Sequence, residues 1–100
     1  MSVLIIGKIS GDTGKFRQAL VERATEFTKI ADMARTQGAI HHRFGIGDGV
    51  VVIVDEWETA EQFQQFFADP ALQGFIGSVG GAPTPPELTI VEAIASPDQF

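Results

Sequence analysis

The sequence predicts an α+β domain of the ferredoxin-like type, with element order βαββαβ and a four-stranded antiparallel sheet. Three observations predict this fold. Short β-prone runs stand near both ends and in the middle of the chain, helical spacings separate them, and an Asp-Gly pair joins the two middle runs. With 100 residues, no internal repeat and no long linker, residues 1–100 are expected to form a single domain.

The first strand and the first helix occupy the N-terminal third. Residues 3–9 (VLIIGKI) have apolar side chains at odd and at even positions, and therefore on both faces of a strand, which predicts a buried strand. Asp12 or Thr13 can cap the helix that follows. Apolar residues spaced by three and four then predict one long helix that ends before Gly38. This helix has two weak points where a bend is expected, Thr25 and Thr28.

The middle of the chain predicts a hairpin. Residues 39–46 and 50–57 read as strands, and Asp48-Gly49 favours a two-residue turn in which both central residues tolerate positive φ. This turn sets three cross-strand pairs: Phe44 with Ile53, His42 with Asp55, and Ile40 with Trp57. A three-residue loop would instead place His41 opposite Asp55.

The last third predicts helices and one more strand. Thr59 is expected to cap a helix with Gln62 as its capping-box partner, and Pro70 begins a further short helical segment. The apolar positions of these two segments are Phe63, Phe66, Phe67, Leu72, Phe75, Ile76 and Val79. Residues 80–86 (GGAPTPP) predict a loop, and residues 88–95 predict the last strand.

The strands at residues 3–9 and 50–57 carry aliphatic side chains on both faces. Right-handed crossovers place both helices on one face of the sheet, so the other face is left bare. Four or five exposed aliphatic side chains, each worth roughly 1.5–3 kcal/mol on burial, are too much apolar surface for a monomer. We therefore expect a homodimer in which two sheets pack face to face. The alternative is that the C-terminal tail, residues 96–100, covers this face.

The hairpin register places polar groups among apolar ones on the helix-covered face. That face is expected to carry Ile40, His42, Phe44, Ile46, Val51, Ile53, Asp55 and Trp57. A His opposite a carboxylate is held in one tautomer, and such a pair in an apolar cleft suits general-base chemistry. We therefore take His42 and Asp55 as catalytic candidates. The candidate substrate-binding residues are Trp57, Phe44, Phe66 and Phe63. The alternative interpretation is a hydrogen-bonded pair that only fixes the strand register.

Composition excludes several functions. A net charge of −6 argues against a nucleic-acid or anionic membrane surface, and the absence of cysteine removes thiolate chemistry. No apolar run approaches the roughly 20 residues of a membrane span, and no targeting segment is evident, so a cytoplasmic location is expected. His41 and His42 point to opposite faces of a strand, which disfavours a shared metal, and no metal site is predicted.

The junction Asp55-Glu56-Trp57-Glu58-Thr59 is similar to the E-E-W-E-S junction of the antibiotic-biosynthesis-monooxygenase-like family. Later positions that fit the same pattern are Phe63, Phe66, Asp69-Pro70 and Phe75. The resemblance covers nearly the whole chain in element order. It implies the dimeric α/β-barrel fold, in which two sheets meet face to face.

Members of this family include cofactor-independent oxygenases of polycyclic phenols, haem-degrading enzymes, isomerase-like proteins and proteins of no known activity. Oxygenase members use a Trp at the position that matches Trp57. Haem-degrading relatives have a Trp and an axial His where this chain has Phe66 and Ile76, so haem degradation is not expected, and no cofactor is predicted. The first hypothesis is a monooxygenase-like enzyme for a small apolar or aromatic molecule. The second is a non-catalytic dimeric protein with a small-molecule-binding or structural role.

Overall fold

The computed structural model describes residues 1–100 and contains four strands and four helices. In chain order they are β1 Val3–Ser10, α1 Thr13–Glu22, α2 Ala24–Gln37, β2 Ala39–Gly47, β3 Val50–Trp57, α3 Ala60–Phe67, α4 Pro70–Ser78 and β4 Glu87–Glu92. The strands form one antiparallel sheet in the order β2-β3-β1-β4. The predicted ferredoxin-like fold is therefore confirmed. The two helical segments predicted after β3 are present as α3 and α4, whereas the single long helix predicted after β1 is divided into α1 and α2.

The helices cover one face of this sheet, which we call the inner face. On β1, Ile5 is fully buried beneath the helices, whereas Leu4 and Ile6 point to the other, outer face and remain exposed. Leu4 lies opposite Val91 of β4, and Ile6 lies opposite Val54 of β3, so these four side chains form one apolar patch. Their exposure lies between 39% and 51%, and no part of the chain covers them.

The β2–β3 hairpin has the predicted two-residue turn. His42 lies opposite Asp55 and Phe44 opposite Ile53, as the turn length predicts. Only Gly49 has a positive φ, 67°, so the expectation of positive φ at both central residues is wrong. A positive φ at the second central residue alone is typical of a type II turn.

The base of the hairpin departs from the predicted register. Ala39, not Ile40, lies opposite Trp57, because a bulge between Ala39 and His41 inserts one extra residue into β2. Gly38, whose φ is 123°, accepts a hydrogen bond from the Glu58 N–H across the strands. The bulge therefore lets β2 keep its pairing at both ends although it carries one residue more than β3 there.

The helix caps agree with the sequence, but the bend does not. Asp12 accepts a hydrogen bond from the Lys15 N–H, and Thr59 accepts one from the Gln62 N–H. The long helix breaks at Arg23, so the bends expected at Thr25 and Thr28 are wrong. The Arg23 guanidinium bonds both carboxylate oxygens of Glu26 and the Ser78 hydroxyl, which ties the break to the end of α4.

The core is thin and lies in two clusters. One contains Ile5, Ile53, Trp57 and Phe63, and the other contains Phe16, Ala19, Val51 and Val79. The second helix, α2, has 14 residues and none of them is buried. The middle of the inner face is consequently not closed by α2. None of the helices combines the length and the apolar character that a bilayer crossing requires.

The C-terminal part differs in extent from the prediction. The last strand ends at Glu92 and not at residue 95, because β1 begins at Val3 and offers only one more hydrogen bond, from the Ala93 N–H to the Ser2 carbonyl. Residues 80–86 form the predicted loop, fastened to the start of α1 by a bridge between Gly11 and Gly81. The tail leaves the outer face uncovered.

Candidate functional site

A cavity of about 690 Å³ lies between the inner face and the helices. Its volume is within the range of small-molecule sites, and most of its lining is hydrophobic. All four helices contribute to its roof, and β2, β3 and the end of β1 form its floor. All six residues singled out in the sequence line it: His42, Asp55, Trp57, Phe44, Phe66 and Phe63. Their functional roles stay predictions.

Three polar side chains form a hydrogen-bonded chain along this floor. The His42 Nδ1 lies 2.6 Å from the Asp55 Oδ1, and the Trp57 Nε1 donates to the Asp55 Oδ2 at 3.1 Å. Alternation along β3 places Asp55 and Trp57 on the same face, and the hairpin register brings His42 opposite Asp55. Each carboxylate oxygen therefore has one nitrogen partner from a ring.

These contacts determine which imidazole nitrogen remains free to act as an acceptor. An indole N–H can only donate, so Asp55 acts as the acceptor for Trp57. A carboxylate also accepts from His42, which places the imidazole proton on Nδ1 and leaves Nε2 with a free lone pair. The Asp55 side chain is 8% exposed and that of His42 is 41% exposed. The carboxylate is thus the buried support, and the imidazole is the reachable group.

The position of the imidazole is fixed on a second side by Phe44. The two rings meet edge to face, with centroids 4.5 Å apart and an interplanar angle of 86°. Phe44 in turn makes an edge-to-face contact with Phe16 of α1, at 5.0 Å. Such aromatic contacts add roughly 0.5–1.5 kcal/mol beyond the area they bury. The hydrogen bond to Asp55 and this ring contact together restrict the orientation of His42.

The predicted aromatic residues do not all offer surface to a ligand. Trp57 and Phe63 are each only 1% exposed, and their rings pack together at 5.6 Å. Phe66 packs on Trp57 at 5.3 Å and remains half-buried, as a residue at the cavity edge does. Trp57 therefore supports Asp55 from below, and Phe44 and Phe66 supply more of the accessible wall.

Sequence reasoning did not assign four cavity-lining aromatic side chains to the site: Phe16, Phe27, Phe67 and Phe75. Phe16, Phe27 and Phe75 come from α1, α2 and α4, and the ring of Phe27 contacts the other two at 5.9 and 5.0 Å. Helical spacing identified them as inward-facing residues. Only the packing of helices over the sheet shows that they surround the same space as His42.

The second histidine, His41, borders the same cavity but has a different partner on the neighbouring strand. His41 is the cross-strand neighbour of Glu56, one residue out of phase with the His42–Asp55 pair. Adjacent residues of a strand point to opposite faces, so the His41 side chain is directed to the outer face, and the residue reaches the cavity only at the β2 edge. No three His, Asp or Glu side chains come together as a metal site would require.

Comparison with known proteins gives matches at the level of structure. No protein-family model matches the chain, and no curated protein matches it in sequence. The chain is similar to SnoaB, a cofactor-independent oxygenase from Streptomyces nogalater, with a TM-score of 0.65, 14% identity and 98% of each chain covered. A monooxygenase from the gene ActVA-Orf6 of Streptomyces coelicolor, solved in complex with nanaomycin D, matches with a TM-score of 0.67 and 20% identity. That match covers 95% of this chain and 89% of the other.

A structure described as an antibiotic biosynthesis monooxygenase matches with a TM-score of 0.62 and 9% identity, over 93% of this chain and 99% of that chain. These identities are low, so the matches describe architecture and not activity. They agree with the resemblance seen in the Asp55–Thr59 junction. The chain therefore has the ferredoxin-like fold of the antibiotic biosynthesis monooxygenase structures.

Proposed function

We propose that this protein is a cofactor-independent, monooxygenase-like enzyme that acts on a small apolar aromatic molecule, in which His42 is the general base. The observation that carries this proposal is the His42 imidazole, held at 2.6 Å by a buried carboxylate and directed into an apolar cavity of about 690 Å³. The fold shared with oxygenases and the family resemblance support the reaction class.

In this proposal the substrate supplies its own electrons. The Nε2 of His42 removes a proton from a phenol or from its keto tautomer, and Asp55 stabilises the imidazolium that forms. The electron-rich anion then reacts with O₂. A ring CH₂ group becomes a carbonyl, so the carbon loses two hydrogens and gains one oxygen atom, and the second oxygen atom leaves as water. The apolar walls exclude bulk water from this anion.

Anthrone is a suitable probe, since its oxidation to anthraquinone follows this balance. We expect the protein to accelerate O₂ consumption and quinone formation above the rate in buffer. His42→Ala should lower the protein-dependent rate by about 10²-fold or more, as removal of a general base does. Glu56→Gln is the control, because Glu56 follows Asp55 on β3, points to the outer face and does not line the cavity, and this variant should retain the rate.

A fluorescence measurement beside the oxidation assay distinguishes the enzyme from the second hypothesis, a non-catalytic binding protein. Trp57 is the only tryptophan in the chain and lines the cavity, so quenching of its fluorescence reports a bound aromatic molecule. Quenching by anthrone without acceleration of its oxidation would support a non-catalytic binding protein. The absence of both quenching and acceleration would contradict an aromatic site.

We also propose that two copies associate through the outer face. The patch of Leu4, Ile6, Val54 and Val91 is contiguous and half-exposed. Completing its burial is worth roughly 3–6 kcal/mol, if each side chain gains about half of its full transfer free energy. The tail, whose Ile94 and Phe100 are themselves exposed, does not provide this cover. A second copy of the same surface does.

Sedimentation velocity at micromolar concentration tests the association. We expect a dimer for the native chain and a monomer for Val54→Asp, which places a charge in the patch. The control is Val21→Asp on α1, since Val21 is 80% exposed and lies away from the sheet, and this variant should remain dimeric. A well-folded native monomer at that concentration would overturn the proposal.

A further inference from the structure

A second apolar cavity, of about 710 Å³, adjoins the first. It lies beneath the loop of residues 80–86, between α3, α4 and the ends of β1 and β4. Prolines of this loop, together with Phe67 and Leu88, form much of its wall. Its polar lining comes from side chains at its edge, among them Gln64, Gln73 and Thr84. The composition of this space therefore resembles that of the first cavity, although it has no His or carboxylate.

The two cavities share one wall. Five residues line both of them: Ile9, Phe63, Phe67, Ile76 and Gly81. Phe63 is 1% exposed and packs in the cluster with Ile5, Ile53 and Trp57, so it cannot move aside without disruption of that cluster. Ile76 is different, because it is half-buried and projects from α4 between the two spaces.

The side chain of Ile76 is held in the wall by a glycine. A Cβ added to Gly81 would lie 2.6 Å from the Ile76 Cγ2 and 2.9 Å from its carbonyl oxygen. The Gly81 N–H also donates to that carbonyl at 2.9 Å. The backbone of the loop can thus approach α4 closely, and this approach fixes Ile76 at the boundary.

We propose that Ile76 determines which ligands the protein accepts, by closing the first cavity to the second. The aromatic head of a ligand occupies the space beside His42, and an alkyl or similarly apolar extension is stopped at Ile76. Truncation of this side chain joins the two cavities, and the second then becomes a subsite for the extension. This inference rests on the proposed aromatic site and adds the residue that limits ligand length.

The test compares two probes that differ only in chain length, 2-methylanthraquinone and 2-pentylanthraquinone. Quenching of Trp57 fluorescence gives the dissociation constant of each probe for the native chain and for Ile76→Ala. The four additional methylenes gain apolar burial only where the second cavity can be reached. We expect Ile76→Ala to shift the ratio of the two dissociation constants by at least tenfold in favour of the pentyl compound.

Leu72→Ala is the matched control, because Leu72 lies on the same helix and lines the first cavity but not the second. It removes a similar volume and should leave the ratio within about twofold of the native value. Ile76→Val provides a milder opening, for use if the alanine variant melts too early, and should shift the ratio in the same direction by a smaller factor.

An unchanged ratio in both Ile76 variants, or an equal shift in Leu72→Ala, would overturn this inference while leaving the aromatic site in place. If neither probe quenches the fluorescence of the native chain, that result would instead contradict the proposed aromatic site. The proposed role of Ile76 would then be contradicted as well.

Discussion

The helices α3 and α2 both lie over the inner face of the sheet, but only α3 closes on it. In its eight residues α3 buries Phe63 completely against Trp57 and Ile53. The longer α2 buries no residue, and its inward positions include Ala31 and Ala34, which line the cavity. Small side chains on a helix held away from the sheet leave space that large ones would fill. The contrast shows how one sheet supports a rigid core and an open cavity at the same time.

The largest difference in stability between the two helices is expected when alanine replaces Phe63 on α3 or Phe27 on α2. Phe63→Ala should reduce the free energy of unfolding by about 3–5 kcal/mol, since it empties a packed site. Phe27→Ala on α2 should cost less than half as much, because its ring borders space that is already open. Urea denaturation of both variants checks this. Equal losses would mean that α2 packs as tightly as α3.

A second effect concerns two glycines, Gly80 just beyond the C-terminal end of α4 and Gly74 inside this helix. Gly80 has a φ of 113°, and a Cβ there would lie 2.6 Å from the Asp12 carbonyl oxygen. We expect Gly80→Ala to destabilise the fold by about 2–4 kcal/mol through backbone strain and overlap. In Gly74→Ala the added Cβ would have no neighbouring atom within 4 Å, so this variant should stabilise the fold by about 0.5–1 kcal/mol. Thermal melting of both variants provides the comparison, and tolerance of alanine at Gly80 would contradict it.

The buried carboxylate gives an intermediate effect. In Asp55→Asn the side-chain amide cannot accept from both Trp57 and His42 through two equivalent oxygens, so one N–H loses its partner. The expected loss is about 1–3 kcal/mol in the free energy of unfolding. Glu56→Gln on the neighbouring position is the control, since Glu56 accepts only from the Ser2 hydroxyl near the outer face. An Asp55→Asn variant whose free energy of unfolding equals that of the native chain would argue against the hydrogen-bonded chain.

The smallest effect is a pH dependence at the surface. A bidentate hydrogen bond from Arg23 lowers the pKa of Glu26 below its usual value. A lowered pKa in the folded state means that the contribution to stability is present at neutral pH and is lost as the pH falls through that pKa. Both groups are exposed, so the effect is small. The stability difference between the native chain and Glu26→Gln should therefore be present at pH 7 and shrink by pH 2. A difference that grows at low pH would contradict this.

The sequence alone predicts much of the sheet and part of the site, because both depend on short-range patterns. A two-residue turn at Asp48-Gly49 determines that His42 lies opposite Asp55, and alternation puts Trp57 on the same face. The position of the helix break is another matter. Arg23 is a good helix former, and its contacts are with Glu26 nearby and with Ser78 and the Phe75 ring on α4. Nothing local to residue 23 indicates that break.

The cavity also lies beyond what periodicity can predict. The spacing of Phe27, Ala31 and Ala34 shows which face of α2 turns inward, but not how far that face stands from the sheet. The bulge at Ile40 is similarly a compromise between the end of α2 and the pairing of β2 with β3. Tertiary geometry determines both, and it is this geometry that distinguishes a binding site from a filled core.

The most direct test of the account is the tautomer of His42 and its response to an aromatic ligand. Long-range ¹H–¹⁵N spectra of the imidazoles, assigned with the His41→Gln variant, measure both. We predict that the neutral His42 ring carries its proton on Nδ1, and that 2-naphthol shifts the Nε2 resonance of His42 more than the resonances of His41. A ring protonated on Nε2, or a response equal for the two histidines, would contradict a base oriented by Asp55 toward the cavity.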